Sequence, residues 1–103
     1  MRRLGDGRRT HDIDAANVRC SVVTALGQLG DPRAIESLIS TALRDVDWKV
    51  REAAGRALAR FPFGWDDTAL KEALHDRSAI VREAAALALA EVARGWGEME
   101  GRS

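Results

Sequence analysis

Apolar positions recur along the chain in one pattern, three times over. In residues 18–29, 50–61 and 81–92 they fall at i, i+4, i+7, i+8 and i+11, as in Val81, Ala85, Ala88, Leu89 and Val92. That spacing lays a single apolar stripe along a helix of 3.6 residues per turn. The segments begin at positions 18, 50 and 81, so the helix is an internal repeat of 31 to 32 residues. Between them, residues 32–44 (Ile35, Leu38, Ile39, Ala42, Leu43) and 66–75 (Ala69, Leu70, Ala73, Leu74) predict two further helices. The punctuation agrees. Gly30 suits a left-handed helix end, Asp31 can accept from free N–H groups, and Pro32 stands where a missing donor costs nothing. Asp47 and Ser78 occupy cap positions before the second and third long helices, and Phe61-Pro62-Phe63-Gly64 interrupts the chain. No run of alternating β-branched residues predicts a strand.

The expected architecture is therefore all-α: five helices forming about two and a half helix-turn-helix units, which bury their faces only by stacking. The expected boundaries are a flexible basic tail over 1–13 (Arg2, Arg3, Arg8, Arg9), one repeat domain over 14–96, and a frayed polar end over 97–103. That polar ending favours a complete small protein over a piece of a longer array.

Leu29-Gly30-Asp31-Pro32-Arg33-Ala34-Ile35, then Leu38-Ile39 and Ala42-Leu43, then Asp45-Val46-Asp47-Trp48-Lys49-Val50-Arg51 with Ala53-Ala54 and Leu58, carry a resemblance to the HEAT-repeat family. Within it, the chain is similar to the short HEAT-like repeats of phycobilin lyases. The resemblance covers about residues 14–92. It implies a right-handed α-α superhelix, and for activity it implies little, because the family's motif residues are structural. It also implies a ladder of charge-assisted hydrogen bonds between neighbouring units, with Asp45, Arg51, Asp76 and Arg82 as members and Arg19 at its start. Ile13 stands where the first unit would carry its aspartate.

Composition narrows the function classes. The 103 residues carry 16 Lys and Arg against 16 Asp and Glu, so no net positive charge favours wrapping a polyanion. With 46% apolar residues, the chain is not expected to be disordered. The longest stretch without a charge, residues 20–30, is too short for a bilayer span, and a reducing cytoplasm is the default location. The single Cys20 has no base near it in sequence, so no nucleophilic role is expected. His11-Asp12 and His75-Asp76 have ligand chemistry but lie two units apart, on the order of 20 Å at roughly 10 Å per helix layer. The family resemblance extends to a di-iron hydroxylase with His-Glu pairs, and this chain has none. No catalytic residue, metal or cofactor is expected. Arg19, Arg51 and Arg82 have an alternative reading as a row that binds phosphate.

What remains is surface. At 100° per residue, with Val18, Val50 and Val81 at zero, the buried side centres near 20° and the opposite side at 200–280°. Three rows fall there: Cys20, Glu52 and Glu83; Thr24, Arg56 and Leu87; Gln28, Arg60 and Glu91. In HEAT-like solenoids the second helix of each unit lines the inner curve, so this grid is the candidate partner-binding face. Trp48, at a turn where the equivalents are Ala16 and Ala79, either anchors a partner or folds over the adjacent unit. Trp65 is expected to staple the entry to its helix, and Trp96 to extend the buried stripe. Leu87, with Ala86 and Ala90, leaves the last helix apolar around much of its girth, and the first helix has no preceding partner. Both ends therefore predict association, as a homo-oligomer or docked on a larger protein. The function expected is a non-catalytic interaction module. The alternatives are an accessory subunit related to phycobilin lyases and a HEAT-like nucleic-acid binder, the latter disfavoured by the charge balance.

Overall fold

A computed structural model of the chain describes residues 4–61 and 65–101, with side chains over 15–61 and 65–94. Five α-helices are present: α1 (Leu4–Leu29), α2 (Ala34–Ser40), α3 (Trp48–Leu58), α4 (Thr68–Glu72) and α5 (Ala79–Gly101). Short 3₁₀ turns over Ala42–Arg44 and Ala73–His75 continue α2 and α4. There is no strand among the described residues. The chain is an all-α solenoid. The long helices α1, α3 and α5 pack side by side as one layer, and α2 and α4, each with its 3₁₀ turn, cover α3 and α5 as a second.

Local chemistry sets the breaks. Gly30 closes α1 at φ +69°, a backbone conformation L side chains rarely adopt, with its N–H on Leu26 O at 3.2 Å. The Asp31 carboxylate accepts the Arg33 N–H at 2.9 Å, making a turn, so α2 starts two residues after Pro32. Asp47 caps α3 by accepting the Lys49 N–H at 2.8 Å. Ser78 Oγ lies 3.5 Å from the Val81 N–H at the start of α5. The helices expected over 32–44 and 66–75 are thus shorter and tighten to 3₁₀ geometry before Asp45 and Asp76. At the chain ends the helices run further than expected. The backbone is already helical at Leu4, since no proline interrupts residues 4–14, and α5 continues past residue 96 to Gly101.

The core lies between the layers. Leu38, Leu58, Leu70, Val50 and Val81 are almost wholly buried, each contributing about 2 kcal/mol by removal from water. Position by position, the apolar stripe is buried in α3 (Val50, Ala54, Ala57, Leu58) and at Phe61 just after it. In α5, Val81, Ala85, Ala88 and Val92 are buried and Leu89 is half-buried. In α1 the expectation fails: Val18 is 60% exposed, Val22 52% and Leu29 77%. That direction points toward the second layer, and no described helix covers α1 there. α1 packs on α3 through other residues, with Ala16, Val23 and Gly27 buried. Gly27 sits so close that a Cβ would lie 2.8 Å from the Ala57 Cβ.

Candidate functional site

Two polar arrangements run across the units, a ladder at one edge and a groove on the α1–α3 face. The ladder forms with a shifted pairing. The Arg19 Nε and Nη2 donate to the two Asp45 carboxylate oxygens at 2.8 and 3.0 Å. Arg51 repeats this on Asp76 at 2.9 and 3.0 Å. Each aspartate is thus held by the arginine of the preceding unit. The arginine six residues after each aspartate binds its backbone instead: Arg51 Nη1 donates to Asp45 O at 2.8 Å and Val46 O at 3.1 Å, and Arg82 Nη1 to Asp76 O at 2.7 Å and Arg77 O at 3.3 Å. These carbonyls belong to the linker that follows each 3₁₀ turn, Asp45 and Asp76 being extended, outside any helical ladder. Asp45 and Asp76 also accept the N–H two residues on, from Asp47 and Ser78, both at 2.9 Å.

Burial pushes both carboxyls upward in pKa. The hydrogen bonds from Arg19 and the Asp47 N–H to Asp45, and from Arg51 and the Ser78 N–H to Asp76, outweigh it and hold both below the ordinary carboxylate range. The Arg51 and Asp76 side chains are 8% and 13% exposed. Of the row of arginines, Arg19 and Arg51 are already committed to carboxylates.

The groove lies between α1 and α3. It is open, with a volume of about 530 Å³, and Cys20, Thr24 and Gln28 form one wall while Trp48, Lys49, Glu52, Arg56 and Arg60 form the other. Six of the nine grid residues meet here, Cys20, Thr24, Gln28, Glu52, Arg56 and Arg60, together with Trp48. Glu91 reaches an adjoining hollow shared with Gln28, Arg56 and Arg60. Glu83 and Leu87 stand on α5 outside both, and Leu87 is 62% exposed. Trp48 is 41% exposed, presenting indole surface at the groove's rim rather than burying it under a neighbouring unit. Glu52 and Arg56 form an i, i+4 ion pair at 2.7 Å, and Glu91 is paired with Arg94. Lys49 and Arg60 have no ion pair among the described residues, so the groove carries two uncompensated positive charges beside an aromatic rim. Lys49 falls at 260° on the same wheel, inside the chosen face, and is missed there because the rows count only positions after the reference valine.

Burial pushes the Cys20 thiol up in pKa, away from thiolate. No group of three His, Cys, Asp or Glu side chains that could hold a metal occurs among the described residues. His75 ends a 3₁₀ turn, while the His11 and Trp96 side chains lie outside those described. Trp65 meets its expected role, donating Nε1–H to Phe61 O at 2.9 Å and packing on the core at the entry to α4.

Stacked helical hairpins, an arginine–aspartate ladder and an open inter-unit groove define an α-solenoid of the repeat class. The family model for HEAT repeats matches residues 9–59, and that for the HEAT repeat matches residues 68–96. The chain belongs to the HEAT-repeat family. A search among curated proteins gives no match. No helix among the described residues is long and apolar enough to cross a membrane.

Proposed function

We propose that this protein is a non-catalytic interaction module that holds a segment of a partner protein in the α1–α3 groove and makes further contacts through its open terminal helices, α1 and α5. The observation that carries the reading is the groove's make-up. A half-exposed indole beside Lys49 and Arg60, flanked by the neutral donors and acceptors of Thr24 and Gln28, suits an acidic polypeptide with one apolar side chain for Trp48. Trp48 would be the anchor, and the two cations would orient the segment and speed its approach. Two unpaired cations and one acid–base pair are a thin charge for a nucleic-acid backbone, which is gripped by many phosphate contacts at once. The open faces of α1 and α5 leave room for a second copy or a larger protein. A free thiol fits a reducing, cytoplasmic setting.

Site-specific photocrosslinking in the native host tests this. With the reactive side chain at Thr24, a discrete protein adduct is expected, and it disappears when Arg60→Glu or Trp48→Ala is added. The same probe at Glu72, on the outer layer, should give no such adduct. Adducts to nucleic acid alone, or a Thr24 adduct indifferent to both substitutions, would overturn the proposal.

A further inference from the structure

The geometry points to a short amphipathic helix, donated by a partner protein, that seats on α1 over Val18, Val22 and Leu29 with its C-terminal end at Arg19. This deepens the reading of α1 as an open interaction surface and does not depend on the groove.

The repeat supplies the template twice. Val50, Ala54 and Phe61, in α3 and just after it, are the equivalents of Val18, Val22 and Leu29, and they share one buried cluster with Leu38, Ala42 and Leu43 of α2 and its 3₁₀ turn, which pack on α3. In α5 the same stripe is covered by α4 and its turn through Leu70 and Ala73. In α1 the side chains are present and the cover is absent among the described residues. Contiguous exposed aliphatic surface of this kind marks a contact site.

The polar edge matches. In units two and three, the inner-helix arginine spends Nη1 on the linker carbonyls just past the end of its own outer helix, as Arg51 does on Asp45 O and Val46 O, and Arg82 on Asp76 O and Arg77 O. Arg19 uses Nε and Nη2 on Asp45, and its Nη1 has no hydrogen-bond partner among the described residues. A guanidinium edge facing open space beside the stripe is complementary to the carbonyl-rich, partly negative end of a helix. Position and polarity together fix the occupant: antiparallel to α1, about two turns long, with aliphatic residues spaced as Leu38, Ala42 and Leu43 are, and its last carbonyls on Arg19 Nη1. In a second copy α2 and α4 are already seated on α3 and α5, so neither is free to fill the site. The rim does not oppose docking: Arg19 is the sole charged residue from 15 to 30, and its charge is balanced by Asp45.

The test uses the full chain and a synthetic peptide of residues 32–46, C-terminally amidated, as the probe helix. Isotope-labelled protein is titrated with peptide and followed by NMR. Saturable shifts are expected at the Val18, Val22 and Leu29 methyls and the Arg19 guanidinium. The midpoint is expected at roughly 0.1–1 mM, because a free peptide this short must first form its helix. Val22→Glu, on an exposed site that leaves folding intact, abolishes the shifts, while Leu87→Glu and Arg60→Glu leave them unchanged. Retention of binding in Arg60→Glu separates this result from the fate of the groove. Absence of shifts at the stripe up to several millimolar peptide, or shifts that survive Val22→Glu, would overturn the proposal. So would a dimer dissolved by Val22→Glu, which would make the occupant a second copy.

Discussion

The helices α1 and α3 read almost alike in sequence and live in different surroundings. Val18, Val22 and Leu29 match Val50, Ala54 and Phe61, yet the first set is more than half exposed and the second nearly sealed. Arg19 and Arg51 match too. Arg19 holds one carboxylate with its side chain 43% exposed, whereas Arg51 is 8% exposed, holds a carboxylate and binds two carbonyls as well. The difference is one of neighbours. In a repeat array each unit's residues are finished by the units beside it, so an identical motif is structural in the middle and available at the end.

The sharpest way to break this comparison is to remove each arginine in turn. Arg51→Met leaves Asp76 largely buried and deprives two linker carbonyls of their donor, and should cost about 3–5 kcal/mol in urea unfolding. Arg19→Met removes one half-exposed pair and should cost distinctly less. Equal losses would mean that the ladder is not graded by position.

Acid sharpens the same comparison with a smaller effect. Asp45 and Asp76 ionise more readily folded than unfolded, so their contribution is complete above the unfolded carboxylate pKa of about 4 and fades as pH falls below it. Thermal melts should show a midpoint that is steady above about pH 5 and drops below pH 4. Asp76→Asn should flatten that drop more than Asp45→Asn does, because Arg51 is better shielded from water than Arg19.

How far the fold is legible from residues alone follows the same division. The periodicity at 18, 50 and 81, the cap residues Asp47 and Ser78 and the left-handed Gly30 all act locally, and each appears in the structure where its chemistry puts it. The groove-facing residues of α1 and α3 were legible because a helical wheel converts spacing to direction. Two things were not. The ladder's register, with Arg19 on Asp45 and Arg51 on Asp76, is a contact between units, and no spacing inside one unit encodes it. The bare stripe on α1 is apolar in the same pattern as its buried counterparts, and pattern reports what a face can bury, not whether a neighbour covers it.

Equilibrium unfolding of the pair Val18→Asp and Val50→Asp, followed by far-UV circular dichroism, tests the central claim most directly. The stacking described here predicts that Val18→Asp keeps its helix content and a melting midpoint close to that of the parent chain. Val50→Asp places an unpaired carboxylate in the core and should lose the cooperative transition. If both variants unfold, or both fold, the two helices are equivalent and the account of an open first unit is wrong.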